Sequence, residues 1–427
     1  MPRILHLGYG NFHRAHQACY TAKAGGWTIT GVSMRRPDLR NTLAPDDFAY
    51  TLAERGPTGL TVTRITVHDR LLVAAENPSA VIQTIADSDT AIVTLTVTEK
   101  GYHLRPDGTL DLTDPAITAD LQTQTPTTTI GLLALGLAAR QTPITVISCD
   151  NLSGNGEKLR AAIKAFWSAA NLPGRPSDIA NFPDTMVDRI TPATTDAMRT
   201  EIAAQTGHPE PEPVLTEAFT DWIIQDDFAG PRPAWETAGA QFVQDVAPYE
   251  SRKLLMLNAS HSYLAYAGLA KGHTYVHEAI ADPHLRTGTE ALWDAAAPCL
   301  PLDTRSTSDA YRAALIDRFS VPEMRHALAQ IAMDGSAKMT QRILPILTGT
   351  NHAPAALAAL AAWIAFAIRT TKAGQTISDP EATGLQTLAQ DPNAAAKIIA
   401  KIGYHPPDTV VRDLSQRVAI QLSQNPT

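Results

Sequence analysis

Arg3-Ile4-Leu5-His6-Leu7-Gly8-Tyr9-Gly10 reads as a short apolar strand that runs straight into two closely spaced glycines. Dinucleotide-binding folds use such a junction, because the first glycine permits a tight turn and the second lets the backbone approach a pyrophosphate at the start of a helix. The third glycine of the full fingerprint is missing: position 13 is His. Taken alone, the motif fits a cofactor loop and an ordinary strand-to-helix turn alike. Arg14 is then either a cation beside phosphates or a solvated residue of the first helical turn. After the second expected strand, Trp27 to Ser33, the sequence Gly31-Val32-Ser33-Met34-Arg35-Arg36 offers no carboxylate for an adenosine ribose before Asp38. Arg35 could receive the 2′-phosphate of NADP or stack on adenine, so both NAD and NADP remain open, as does a plain surface loop.

Outward from this junction, β-like runs alternate with helical stretches. A helix is expected from Arg14, and further strands at Ala91 to Val97 and Ile144 to Ser148. That rhythm predicts βαβ units around a parallel sheet. From about Tyr249 the pattern changes to long Ala/Leu-rich segments: Glu250 to Ala270, Ser308 to Arg318, Pro322 to Met333, Ala355 to Thr371 and Ala394 to Ile402. The expected fold class is therefore α/β, with a Rossmann-type domain over residues 1–245 followed by a mainly α-helical domain over residues 246–427. Pro-rich breaks at His208 to Pro213 and Gly230 to Pro233 could be linkers or ordinary loops, and the Thr-rich stretch Thr123 to Thr129 reads as a loop.

At 427 residues, the chain exceeds what one hydrophobic core usually serves, and 44% hydrophobic against 18% charged residues excludes disorder. A net charge of −8 with no long Lys/Arg run argues against a nucleic-acid or anionic-membrane surface and favours small-molecule partners. Cys19, Cys149 and Cys299 are scattered without CxxC spacing, which suggests neither a disulfide framework nor a zinc site and fits a reducing cytoplasm. The first apolar run is too short for a signal sequence, and no apolar stretch of membrane-spanning length is expected.

The second half carries the densest polar set. Residues Tyr249 to Gly268 read as one long helix. With Lys253 at zero on an α-helical wheel, Glu250 falls at roughly 60°, His261 at roughly 80° and Asn258 at roughly 140°. Leu254, Leu255, Met256 and Leu257 cover all quarters of the same helix, so it is expected to be buried. Buried Lys, Asn and His side chains are costly unless used. Such a set can carry hydride transfer from a secondary alcohol, with Lys253 as general base, Asn258 holding the developing alkoxide and His261 orienting the hydroxyl. The alternative is a helix whose lysine snorkels to water while Asn258 and His261 bond to backbone.

The motifs resemble the long-chain mannitol dehydrogenase family, which includes mannitol 2-dehydrogenases, arabinitol dehydrogenases, and fructuronate and tagaturonate reductases. The resemblance rests on Gly8-Tyr-Gly-Asn11-Phe12-His-Arg14-Ala-His16-Gln17, Thr96-Val-Thr98-Glu99-Lys100-Gly-Tyr102 and Ser148-Cys-Asp150-Asn151-Leu-Ser-Gly-Asn155-Gly156. It continues through Phe182 to Pro192, Trp222 to Phe228, Lys253-x4-Asn258-x2-His261 and Met333-Asp334-Gly-Ser-Ala-Lys338. It implies a metal-independent dehydrogenase in which Lys253 is the general acid or base. Asn151 and Asn258 would form an oxyanion hole, and Glu250 would carry the proton toward solvent. His261, Asp188 and Lys338 would contact substrate, in a cleft between two domains. Gly8, Gly10, Asn11, Phe12, Arg14, Arg35, Thr98, Glu99 and Lys100 would bind the cofactor, with NAD favoured over NADP. The expected reaction interconverts a polyol and its keto-sugar; the alternative is mannonate/fructuronate chemistry. A zinc polyol dehydrogenase and an inactive sensor on the same scaffold are the competing classes. Oligomeric state is open.

Overall fold

The computed structural model describes residues 1–56 and 59–423. Their contacts divide into two compact units, residues 1–247 and from 248 onward.

The first unit is built on six parallel strands: β1 Arg3–Leu7, β2 Thr28–Ser33, β3 His68–Val73, β4 Thr90–Leu95, β5 Ile144–Ser148 and β6 Ala180–Asn181. They lie side by side in the order β3-β2-β1-β4-β5-β6. This is the Rossmann order, and the direction of winding reverses between β1 and β4. All five residues of β5 are buried, as a strand covered on both faces requires. Leu5, Leu7, Val93, Leu95, Val146 and Leu133 pack in one core of the unit, while Ile4, Ile29, Ile92 and Ile147 point to the other.

Strands β3 and β6 were not read from the sequence, and further features depart from that reading, while at His208 to Pro213 the ordinary loop, one of the two open alternatives, is what forms. After Gly10 there is no single helix from Arg14 but two, Asn11–Ala15 and Gln17–Ala24, broken at His16, whose backbone (φ −120°, ψ −89°) is not helical. Two small sheets were not foreseen: Tyr50–Gly56 with Gly59–Ile65 and Val214–Glu217, and Thr185–Asp188 with Asp221–Gln225 and Gln241–Val243. The stretch His208 to Pro213 is a loop inside this unit, between helix Asp196–Thr206 and strand Val214–Glu217, and Glu210 within it is buried.

The second unit is helical. Pro322 to Met333 is not one helix: Pro322–Met324 and Leu328–Ile331 are separated by Arg325 at φ 43°, a left-handed conformation that ends a helix. Pro354–Lys372 does reach the length and hydropathy of a membrane-crossing helix, contrary to the expectation that no such stretch exists. Here Leu357, Leu360, Trp363, Ile364 and Ile368 fill the core of the unit, and the helix packs on Ala259–Ala270 and Asp408–Ser423.

Candidate active site

The carboxyl ends of β1, β4 and β5 form the crevice where an open α/β sheet binds its ligand. Gly8 follows β1 at φ 96°, and a Cβ there would stand 2.1 Å from the Thr96 carbonyl oxygen, so only glycine fits between the two turns. Gly10 instead faces open space, with nothing nearer to a Cβ than the Gly8 oxygen at 3.7 Å. A turn that packs tightly on one side and leaves its backbone open on the other fits a dinucleotide phosphate. Asn11 and Phe12, next in the chain, are half-buried.

Arg14 is not a solvated residue. Its guanidinium is 1% exposed, donates to Asn11 Oδ1 (2.6 Å) and to the Glu212 carbonyl (2.8 Å), and lies against the rings of Tyr9 and Tyr50. His13, at the position of the missing third glycine, is wholly buried. It stacks on His6 at 3.5 Å and shares an Nε2–Nε2 hydrogen bond of 3.0 Å with His68. His6 bonds Thr94 and Thr96 through its two ring nitrogens. Burial pushes His6 and His68 down to about 3, and His13 lies well below its ordinary range for the same reason, reinforced by the neighbouring imidazoles and Arg14. Arg35 is exposed in the loop after β2.

After β4, Thr98, Glu99 and Lys100 form an exposed turn; after β5 comes exposed Asn151. Asp150 joins these two turns, accepting from the Val97 N–H (3.0 Å), the Thr98 N–H (2.8 Å) and the Tyr102 hydroxyl (2.7 Å). Desolvation raises the Asp150 carboxyl, with the three donors pulling the other way. Asp188 is buried at the end of strand Thr185–Asp188, outside the six-stranded sheet.

In the second unit the predicted single helix is interrupted. Ala247–Arg252 is α-helical, Lys253–Asn258 forms a π-turn, and Ala259–Ala270 is α-helical again. The Ala259 N–H bonds the Leu254 carbonyl, five residues back. This corrects the helical wheel. Residues five apart in an α-helix are rotated by about 140°, whereas an i→i+5 turn narrows that angle, so Asn258 falls closer to the Lys253 face than the wheel places it. Side chains cover the carbonyls of the widened turn: Ser260 Oγ donates to Met256 and Leu257 (2.7 and 2.9 Å), Trp293 Nε1 to Met256 (3.1 Å), and Arg342 to Asn258 (3.2 Å).

Asn258 and His261 line a cavity of about 230 Å³ with His326, Gln330, Ile331, Lys338 and Arg342. Lys253 and Glu250 are half-buried on the same helix and do not belong to that lining. His261 is buried with no partner on Nε2, and packs against Phe319 and His326. Desolvation, then the charges of His326 and nearby Arg and Lys, holds His261 well below its ordinary range; His326 is pushed down to about 4, chiefly by burial. Lys338 donates to the Ile331 carbonyl (3.0 Å), and burial lowers its affinity for a proton. His326, Gln330 and Arg342 were missed from sequence, although Arg342 lies four residues after Lys338 on helix Gly335–Arg342, a spacing that puts both on one face and could have found it. Among the described residues, no three His, Cys, Asp or Glu side chains are grouped to hold a metal ion.

Residues 2–237 match the family model described as the mannitol dehydrogenase Rossmann domain, and residues 245–418 match that of the mannitol dehydrogenase C-terminal domain. A D-mannonate oxidoreductase of Escherichia coli is 36% identical, over 94% of this chain and 87% of its own length. A D-arabinitol 4-dehydrogenase of Ralstonia nicotianae is 40% identical, over 81% of this chain and 78% of its own. The structure of Pseudomonas fluorescens mannitol 2-dehydrogenase in ternary complex with NAD and D-mannitol superimposes with a TM-score of 0.79 at 34% identity, covering 99% of this chain and 90% of that one.

Proposed function

From the premise that the chain belongs to the mannitol dehydrogenase family, we propose that it is an NAD-dependent dehydrogenase interconverting a polyol and its keto-sugar with Lys253 as general acid and base. It is an oxidoreductase of a family acting on polyols or sugar acids. The observation that supports the finer reading is the π-turn Lys253–Asn258, whose last residue, Asn258, lines a polar cavity with His261 and Lys338.

The turn after β1, tight at Gly8 and open at Gly10, fits the phosphates of NAD, with Asn11, Phe12, Arg35 and the Thr98–Lys100 turn as further cofactor residues, while the expected cofactor residue Arg14 is buried and holds Asn11 instead. Bound there, NAD supplies the acceptor for the carbinol hydride. Lys253, as the neutral amine, takes the hydroxyl proton while the C–H electron pair leaves, and in the reverse direction the ammonium returns it. Asn258 donates its amide N–H to the oxygen on which charge develops. Glu250, three residues before Lys253 on the same helix, passes the proton onward. His261, Lys338 and Asp188 are assigned to substrate hydroxyls, and Asn151 to a second amide N–H for the reacting oxygen. Metal assistance is not part of this reading.

One observation favours the second reading, a hexonate substrate. Lys338 and Arg342 bring two cations to a cavity whose lining includes no carboxylate. Incubating the protein with NAD or NADP and mannitol, arabinitol, sorbitol or mannonate, while following nicotinamide absorbance, tests both. Turnover of a polyol supports the first reading and turnover of mannonate alone the second; no absorbance change with any would overturn the oxidoreductase assignment.

A further inference from the structure

Thr98 has a backbone that threonine avoids: φ 65° and ψ 163° place it in a region essentially reserved for glycine. Residues held there are disfavoured by about 5- to 150-fold, and they persist only where surrounding contacts over-determine them. Asp150 Oδ1 accepts the Thr98 N–H at 2.8 Å, and Oδ2 accepts the Val97 N–H at 3.0 Å, so one carboxylate fixes two successive peptide groups. Behind it, the fully buried Tyr102 hydroxyl donates to Oδ2 at 2.7 Å and meets Ser148 Oγ at 2.5 Å, at the end of β5. The Gly101 N–H closes the turn on the Thr98 carbonyl at 2.9 Å. On its far side, Thr96 Oγ1 donates to the Gly8 carbonyl at 3.0 Å, which ties the same loop to the Gly-x-Gly turn.

We propose that Asp150, backed by Tyr102, is a positioning residue that holds the Val97–Thr98 turn in its disfavoured conformation, and that this held turn presents residues 98–100 to the nicotinamide cofactor. The assignment rests on the proposed function, since it takes NAD as the ligand of this crevice. No chemical step passes through Asp150. An ionised carboxylate alone offers acceptors to all three donors; an amide of the same shape turns an N–H toward at least one of them.

The test measures NADH affinity by fluorescence titration, with thermal melting as the control, for wild type, Asp150→Asn, Tyr102→Phe, Thr98→Gly and the Thr98→Gly/Asp150→Asn double variant. Asp150→Asn is expected to weaken NADH binding about 10- to 100-fold, and Tyr102→Phe by a few-fold. Glycine adopts the turn without the Cβ penalty, so in the Thr98→Gly background the same Asp150→Asn change should cost less than about threefold. An undiminished loss in that background would overturn the brace, because a carboxylate that merely stabilises the sheet is indifferent to the Cβ of residue 98. If Asp150→Asn fails to fold, Tyr102→Phe with and without Thr98→Gly carries the same comparison. Wild type that binds no NADH overturns the proposed function itself, and the brace with it; wild type that binds while the variants bind equally overturns only the brace.

Discussion

Each unit buries a group of imidazoles, and the two groups differ in what surrounds them. In the first unit His6, His13 and His68 close on one another, on Thr94 and on Thr96, and are packed by Tyr9 and Tyr50. In the second, His261 and His326 border a cavity shared with Lys338 and Arg342. Burial depresses the proton affinity of both groups, and orphaned ring nitrogens occur in both, on His13 and His68 as on His261 and His326. Neither property therefore distinguishes a site from a core. Open space beside convergent donors does, and the second group borders such a cavity.

The contrast can be broken most forcefully at the π-turn. Asn258→Ala should lower kcat about 10²- to 10³-fold while the melting temperature moves by only a few degrees, as measured by steady-state kinetics and thermal unfolding. Turnover near the wild-type rate would place Asn258 with the packing residues instead. Acid sharpens the other half. His6 and His68 titrate at about 3 in the folded protein and near 6.5 when unfolded, so below pH 6.5 the unfolded state binds more protons. Stability is therefore lost as pH falls from about 6.5 toward 3, by up to about 1.4 kcal/mol per pH unit for each such imidazole, as urea titrations across that range would record. A flat profile would contradict the buried neutral cluster.

His68→Phe should cost about 1–3 kcal/mol of stability, because His13 Nε2 loses its partner, with kcat nearly unchanged. A turnover loss without a stability loss would reverse the contrast. The smallest effect is expected from Ser260→Ala, under about 1 kcal/mol in chemical denaturation, since Trp293 still donates to the Met256 carbonyl.

Four of the six parallel strands, β1, β2, β4 and β5, were legible as short apolar runs between helical stretches, while β3, with His68, Asp69 and Arg70 at its start, and the two-residue β6 were not read; the helical half was legible because its segments are long and Ala/Leu-rich. The two small sheets were not read, although Leu60 and Val62 alternate with exposed threonines in Gly59–Ile65; several of their strands, Val214–Glu217 and Gln241–Val243 among them, are only four or three residues long. The polar set on the helix was found at its residues but drawn with the wrong angles. A π-turn leaves no composition signature: Leu254 to Leu257 suit an α-helix equally well, and the extra residue is accommodated by donors from Trp293 and Arg342, which no local pattern announces. The same holds for Asp150, which stands next to Asn151 without any sequence feature that reveals its grip on Thr98.

The central claim is that Lys253 moves the proton. Single-turnover hydride transfer by Lys253→Met, with NAD and whichever sugar alcohol or hexonate the wild type oxidises, tests it most directly. The account predicts a rate about a thousandfold lower with NADH affinity unchanged; a rate within about tenfold of wild type would contradict it.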